Sequence, residues 1–401
     1  MHMQEESTLE HRQMTSDFPY ECAVDPTEVN MDSKGVRKVH DLFLRQQRKG
    51  LFPGGQLVVR RRGKVVLNIA CGLARGWQGR GSDPVEVQPS TTFAVFSTGK
   101  PMAAVIIALL ESHRQVDLHT PIAEFLPELG SLGREQITLF DVLTHRGGMI
   151  LPSLIQTPET NGDAEALWQH LVETPPRYPR GTLAYMPLEY GIIIDRLVKK
   201  ITGKDSAMLL EEEFTKPLKL PNMQYGLGSH QLKDIAWNYW LGKERYMVAE
   251  MNIADNFEYK FNIEAVFSAK NPAFGMSADA ANLAAFYEFL VNDGRTRDGN
   301  QLISEQFLKR YTTKQTSGWD KSVKTYLSLG RGFMLGTLTP SFYGWWGSSS
   351  CFGHAGVFSS IAYGDHETGL AVAIVTNGNN SIGDFFKRMV VLNHGLRKAC
   401  H

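Results

Sequence analysis

The chain has 401 residues, of which 42 are Lys or Arg and 42 are Asp or Glu, and 42% of the residues are hydrophobic. This length accommodates one large domain or two, and the hydrophobic content excludes an intrinsically disordered chain. Because the balanced charge leaves no basic excess to neutralise phosphate groups, we expect no nucleic-acid partner and no attachment to an anionic membrane.

The cysteines and the N-terminal sequence indicate the compartment. Cys22, Cys71, Cys351 and Cys400 are far apart and form no C-x-x-C pair, which is typical of isolated thiols rather than of a zinc site or a disulfide framework. The first thirty residues lack the apolar core of a secretion signal, and no apolar run is long enough to span a bilayer. We therefore expect a cytoplasmic protein. The sequence has no H-E-x-x-H or similar ligand cluster and implies neither a metal nor a cofactor.

The N-terminal part of the chain predicts a helix followed by a hairpin. Residues 1–32 form a polar arm, and the apolar spacing after it predicts a helix over residues 33–47. Two strands are predicted over residues 56–61 and 64–71, joined by a turn at Arg62-Gly63.

A serine and a lysine three residues apart open the next predicted helix, which is apolar on every side over residues 102–110. Such a helix is buried, and the spacing places Ser97 and Lys100 on one side of it. A buried Lys100 without a carboxylate within one turn must stretch to water or lose its proton. A neutral lysine beside a serine at a helix N-terminus makes that serine an activated nucleophile.

An ordinary structural interpretation fits the same stretch. Ser97 caps the helix, Pro101 occupies its first turn, and Lys100 is a solvated side chain. S-x-x-K occurs by chance in many proteins, so the motif alone does not decide between the two interpretations.

The remaining pattern predicts an α+β fold. Helices are predicted after Thr138 and over residues 163–172, 190–201, 206–214, 279–292, 304–311 and 382–396, and strands over residues 356–363 and 370–376. Strands near both chain ends indicate one antiparallel sheet flanked by terminal helices, with an inserted helical region. We expect a sheet subdomain over residues 33–92 and 272–401 and a helical subdomain over residues 93–271.

Residues 230–271 are rich in aromatic side chains but have no clean period. The rings belong to Trp237, Tyr239, Trp240, Tyr246, Phe257, Tyr259 and Phe261. One interpretation is an irregular subdomain with a small aromatic core. The other is a lid or wall over a pocket for an apolar group.

From about Ser33 to the C-terminus, the chain resembles the serine β-lactamase and penicillin-binding-protein superfamily. The closest likeness is to the class C β-lactamase-related branch, which includes family VIII carboxylesterases and fungal side-chain acyltransferases. The order of segments carries the resemblance: Gly63-Lys64, Thr92-Phe93 before Ser97-x-x-Lys100, Val116-Asp117-Leu118 with Leu126-Pro127, and residues 137–148. The resemblance implies the α/β sandwich of the β-lactamase/transpeptidase type over residues 33–401, with Ser97 as nucleophile.

Two further motifs complete the resemblance. Residues 179–187 stand where the family has Tyr-x-Asn, so Tyr185 is implied to share the Ser97 proton with Lys100 and pass it to the leaving group. Pro187 replaces the asparagine of that motif and offers no side-chain amide to a substrate.

Gly353-His354-Ala355-Gly356 matches the His-x-Gly of the esterase-like branch. The resemblance implies that His354 and Gly356 line the site and that the N–H groups of Val357 and Ser97 form the oxyanion hole. The alternative for His354 is a packed core histidine. His145 is assigned to structure.

The expected function is cleavage of a small-molecule carboxylic ester through a Ser97 acyl-enzyme. His354 in place of the motif lysine and Pro187 in place of asparagine disfavour a β-lactamase or D-alanyl peptidase. An acyltransferase of secondary metabolism would use the same residues with a different acceptor, and a non-catalytic binding protein is the alternative from another class. The acyl and alcohol groups and the oligomeric state stay open.

Overall fold

The computed structural model of the chain describes residues 18–152, 160, 162–248, 251–357 and 359–400. Residues 1–17 of the predicted N-terminal arm lie outside the described residues, as do residues 249 and 250 of the predicted lid. The predicted division into a sheet subdomain and a helical subdomain stays a prediction.

Most helices agree with the predicted pattern to within a few residues at their ends, but two short helices in the aromatic segment of residues 230–271, Phe257–Phe261 and Glu264–Phe267, were not predicted. They are α1 Ser33–Arg48, α2 Lys100–Ser112, α3 Leu139–Leu143, α4 Ala164–Glu173, α5 Glu189–Thr202, α6 Ser206–Leu210, α7 Phe257–Phe261, α8 Glu264–Phe267, α9 Ala280–Val291, α10 Glu305–Thr312 and α11 Ile382–Lys398. A 3₁₀ turn over Phe96–Gly99 leads into α2, and a π-helical turn over Glu211–Thr215 follows α6.

The strands are more numerous than the sequence pattern predicts. They are β1 Gly54–Arg61, β2 Lys64–Arg75, β3 Val85–Glu86, β4 Phe93–Ala94, β5 Met223–Tyr225, β6 Tyr239–Trp240, β7 Met247–Val248, β8 Met251–Asn252, β9 Met276–Ala278, β10 Thr316–Trp319, β11 Tyr326–Leu329, β12 Met334–Leu335, β13 Cys351–Gly356, β14 Ser360–Asp365, β15 Leu370–Thr376 and β16 Gly378–Asn379.

The predicted sheet built from both chain ends is confirmed. In the described part of the chain, nine strands pair in the order β10-β11-β12-β13-β14-β15-β1-β2-β3, and each pairing is antiparallel. Strand β1 from the N-terminal part lies between β2 and the C-terminal β15, with Leu57 opposite Ile374. The α+β fold class is therefore correct.

Alternation along β1 explains why both faces of this sheet are covered by helices. Leu57 and Val59 share a core with α1 and α11, whereas Val58 belongs to the core on the opposite face. Helix α9 packs on that opposite face against β1, β14 and β15. Successive strand residues point to opposite faces, so a run buried on both sides requires two layers of helix.

The predicted hairpin between β1 and β2 is confirmed. Arg62 and Gly63 have φ angles of 52° and 79°. A two-residue turn with both φ angles positive matches the right-handed twist of the flanking strands.

One predicted strand is wrong, and most of the short strands were not predicted. The strand expected over residues 356–363 is a hairpin in which Gly356 ends β13 and Ser360 begins β14. Strands β10, β11 and β12 were missed because they are only four, four and two residues long. Strand β10 lies at the edge of the sheet and buries none of its residues, so it shows no apolar alternation.

A buried ion pair joins the sheet to α9 and generates a stability prediction. Arg60 is fully buried in β1, and its Nε donates to the Glu288 carboxylate at 2.9 Å. Arg60→Met should lower the free energy of unfolding by about 3 kcal/mol, because it leaves the Glu288 charge buried and unpaired. Urea denaturation monitored by circular dichroism measures this change.

The matched control is Arg62→Met in the neighbouring turn, where the side chain is exposed. This substitution should change the free energy of unfolding by less than about 0.5 kcal/mol. Similar small losses of unfolding free energy in both variants would show that the Arg60–Glu288 ion pair contributes little to stability.

Candidate active site

Ser97 lies in the 3₁₀ turn at the start of α2 and is partly exposed. The preceding residue, Phe96, is buried with a φ of 48°, a conformation that is uncommon for residues other than glycine. Surrounding contacts hold this turn in place: Ser360 Oγ donates to the Val95 carbonyl at 2.9 Å. The Ser97 turn, Phe96–Gly99, is therefore fixed to the β13–β14 hairpin rather than held by α2 alone.

Lys100 is fully buried and faces three neutral oxygen atoms. Its Nζ lies 3.2 Å from Ser97 Oγ, 2.8 Å from the Pro187 carbonyl oxygen and 2.8 Å from the Ala273 carbonyl oxygen. Burial lowers the pKa of Lys100 to about 7, and the nearby Glu189 carboxyl partly opposes this shift. A neutral amine has two N–H donors, which the two carbonyls accept, so its lone pair is left for the Ser97 hydroxyl.

Tyr185 completes the group around Ser97. Its side chain is buried, its phenol interacts with the Ser97 side chain, and its ring centroid lies 5.0 Å from Lys100 Nζ. Burial raises the pKa of Tyr185, and the carboxyl groups of Asp320 and Glu189 raise it further. Tyr185 is therefore a protonated phenol at neutral pH, suited to share and donate a proton.

Three buried side chains hold the backbone around Tyr185, residues 182–188, which are called the Tyr185 segment. Asp320 accepts the Tyr185 N–H at 2.7 Å, and Nδ1 of His145 accepts the Met186 N–H at 3.0 Å. Glu189 accepts the N–H of Leu188 at 3.1 Å and the N–H of Leu151 at 2.7 Å.

Sequence reasoning assigned His145 to structure, which fits its contact with the Met186 N–H. Burial lowers the pKa of His145, and the acceptor role of Nδ1 places the proton of the neutral ring on Nε2. Sequence reasoning missed Asp320 and Glu189. A carboxylate that accepts backbone N–H groups from a distant segment leaves no local spacing signal.

His354 lies in β13 and is buried beside the same group. Its Nδ1 is 2.7 Å from the Ala355 carbonyl oxygen, which only accepts, so Nδ1 carries the proton. Burial and the nearby Lys100 lower the pKa of His354 to about 3. The ring centroid is 6.0 Å from that of Tyr185. At neutral pH, His354 therefore adds a polar ring to the site but no positive charge.

Gly356 lies where β13 reaches the Ser97 turn. A Cβ atom at this position would be 2.0 Å from the Val95 carbonyl oxygen and 2.9 Å from Thr98 Oγ1. Only glycine permits this approach of the two backbones. Val357 follows directly, and its assignment with Ser97 to an oxyanion hole stays a prediction.

Part of the aromatic segment, residues 230–271, contacts the Ser97 turn. The ring of Phe261 lies edge-on to that of Phe96, with 5.5 Å between centroids. The ring centroid of Phe257 is 4.5 Å from that of Phe261, and the ring centroid of Trp240 is 5.3 Å from that of Phe257. These rings form a small aromatic core that also borders the candidate site, so a role as a lid stays a prediction.

The described residues contain no group of three or more His, Cys, Asp or Glu side chains able to hold a metal ion. Within the same residues, no helix is long and apolar enough to cross a membrane.

Comparison with known proteins identifies the family. The beta-lactamase family model matches residues 39–393. The chain therefore belongs to the beta-lactamase family and is a serine hydrolase of that family, as the resemblance of its motifs indicated.

Relatives with esterase names are among the similar proteins. The chain is 27% identical over 352 residues to Esterase/beta-lactamase LipL of Mycobacterium tuberculosis, covering 81% of this chain and 77% of the relative. It is 25% identical to a penicillin-binding-protein homolog of Caulobacter crescentus, with a TM-score of 0.77 over 91% of this chain and 97% of that one. A family VIII carboxylesterase, 21% identical, shares the fold with a TM-score of 0.75 over 92% of this chain and 98% of that one.

The close approach at Gly356 generates a prediction for the reactivity of Ser97. In Gly356→Ala, the new Cβ would displace the Val95 carbonyl and with it the Ser97 turn. We expect the rate at which a fluorophosphonate labels the protein to fall by about 10²-fold, the effect typical of a misplaced reacting group. Intact-mass spectrometry over time measures this rate.

Gly318→Ala in β10 is the matched control, because its Cβ would meet Leu183 at an ordinary 3.7 Å. This variant should react at the rate of the unchanged protein. Normal labelling of Gly356→Ala would show that β13 does not fix the position of Ser97.

Proposed function

We propose that this chain cleaves a carboxylic ester through an acyl-enzyme on Ser97. The main support is the arrangement around Lys100. A fully buried amine with a pKa of about 7 lies 3.2 Å from the hydroxyl of a partly exposed serine. A base whose pKa lies near the operating pH combines a deprotonated ground state with a useful affinity for the proton.

Acylation then proceeds as follows. Neutral Lys100 takes the Ser97 proton as Oγ attacks the carbonyl carbon of the ester, and the N–H groups of Ser97 and Val357 are proposed to bind the oxyanion. As the tetrahedral intermediate collapses, the C–O bond to the alcohol breaks and the Tyr185 phenol donates a proton to the leaving oxygen. Lys100 returns its proton to Tyr185, which restores both groups.

Deacylation repeats these steps with water as nucleophile. Water loses a proton towards Tyr185 and Lys100, its oxygen attacks the acyl carbon, and Ser97 leaves with a proton returned to Oγ. The products are a carboxylic acid, an alcohol and the unchanged protein. An acceptor alcohol in place of water would give acyl transfer by the same steps.

The charge of the site favours neutral esters over β-lactams and peptides that carry a carboxylate. His354 occupies the position of the family's motif lysine and is neutral, so it provides no charged partner for a substrate carboxylate. The Pro187 carbonyl accepts a hydrogen bond from Lys100. The proline side chain has no amide that could bind a substrate. The relative LipL is named both an esterase and a beta-lactamase, so its name supports ester cleavage but does not favour esters over β-lactams.

The nucleophile is tested with p-nitrophenyl butyrate and a fluorophosphonate probe. We expect ester turnover and a single mass addition in the unchanged protein, and loss of both in Ser97→Ala, because this substitution removes the proposed nucleophile. Ser82→Ala, an exposed serine in the loop after β2, is the matched control and should behave as the unchanged protein.

Turnover that persists in Ser97→Ala would contradict the proposed nucleophile. Product analysis in the presence of excess alcohol separates the two reaction types. Free acid as the main product supports the esterase, and a new ester as the main product would replace it with the acyltransferase.

The pKa of Lys100 predicts the acid limb of the pH profile. Above about pH 7 the amine is neutral and accepts the Ser97 proton, whereas below this value it is protonated and cannot. We expect kcat/KM for p-nitrophenyl butyrate, which does not titrate, to fall about tenfold per pH unit below pH 7. Activity that stays constant down to pH 5 would contradict Lys100 as the base.

A further inference from the structure

The tip of the β10–β11 hairpin reaches across to the Tyr185 segment. Asp320 directly follows β10 and is fully buried. One carboxylate oxygen accepts the N–H groups of Ser322 and Val323, each at 2.8 Å. The other oxygen accepts the Tyr185 N–H at 2.7 Å. One side chain therefore shapes the turn of the hairpin and binds the backbone of Tyr185 at the same time.

Other contacts between these two segments agree with this connection. The Lys321 N–H donates to the Leu183 carbonyl at 3.0 Å, immediately beside the Asp320 contact. Leu327 and Leu329 of β11 form a small buried cluster with the Tyr185 side chain. The hairpin thus holds both the backbone and the ring of Tyr185.

The Tyr185 segment needs such support because it has no regular structure of its own. Residues 182–187 belong to neither a helix nor a strand, so no ladder of backbone hydrogen bonds fixes their direction. A buried N–H that lost its acceptor would cost about 1–3 kcal/mol, which is enough to favour a different backbone path.

We propose that Asp320 is a positioning residue for acyl transfer, which keeps the Tyr185 phenol against Ser97 by holding the Tyr185 N–H. This inference rests on the proposed function. Asp320 does not touch the substrate and acts only through Tyr185. Its removal should therefore slow the proton transfer that Tyr185 performs and leave substrate binding largely unchanged.

The first test is Asp320→Asn, measured with p-nitrophenyl butyrate. An amide has one acceptor oxygen, so its NH₂ group faces the N–H either of Tyr185 or of the hairpin turn. We expect kcat to fall at least about tenfold with KM within about twofold, as for the loss of an interaction made only in the transition state. Asp298→Asn, an exposed aspartate, is the control and should retain full kcat.

Asp320→Ser separates the two roles of the side chain and serves if Asp320→Asn does not fold. A serine still caps the N–H groups of Ser322 and Val323, as serine does at helix and turn starts, but its single short hydroxyl no longer holds Tyr185. The melting temperature of this variant should match that of the unchanged protein, because the hairpin turn stays capped. Its kcat should fall as in Asp320→Asn.

A double-mutant cycle with Tyr185→Phe shows whether Asp320 acts through the phenol. In the Tyr185→Phe background, a substitution of Asp320 should cause little further loss of kcat. Losses that multiply would overturn the proposal in favour of a general structural role. Unchanged kcat in both Asp320 variants, with Tyr185→Phe inactive, would overturn it while leaving the proposed function intact. Full activity of Tyr185→Phe would instead contradict the role of Tyr185 in the proposed function.

Discussion

The burial of Lys100 is the constraint on which the rest of the site depends. An ammonium group that is removed from water is costly unless it is paired, and the usual result is a lower pKa. The structure meets this cost with two backbone carbonyls, of Pro187 and Ala273, which accept the two protons of the neutral amine. The remaining lone pair then has the Ser97 hydroxyl as its neighbour. In the proposed mechanism, the activation of Ser97 thus follows from packing.

The partners of Lys100 come from distant parts of the chain, so this arrangement requires a completed core. Ser97 lies in the turn before α2, Pro187 precedes α5, and Ala273 lies in the loop before β9. Tyr190 of α5 donates to the Lys100 carbonyl at 3.2 Å, and Tyr225 of β5 donates to the Gly99 carbonyl at 2.7 Å. Two buried hydroxyls therefore donate their protons to backbone carbonyls at the start of α2 and not to the Lys100 amine.

The sequence predicted those parts of the fold whose signal is local. Helix α2 is apolar on every side, and the turn at Arg62-Gly63 has a residue pair suited to positive φ, so both were found. The pairing of β1 with β15 followed from strands near both chain ends. The hairpin that carries Asp320 was missed because its strands are short and its edge strand β10 buries none of its residues. The contacts of Asp320 and Glu189 were missed because they join residues remote in sequence.

The charges around Ser97 indicate why a buried lysine is not simply an inactive neutral amine. Desolvation alone would make Lys100 a poor proton acceptor, whereas the buried Glu189 carboxyl favours its protonated form. The two effects leave its pKa at about 7, which suits the proposed role as acceptor of the Ser97 proton. His145 and His354 stay neutral, so neither adds a positive charge that would oppose protonation of Lys100. The Glu189 carboxyl thus keeps the pKa of Lys100 higher than burial alone would leave it.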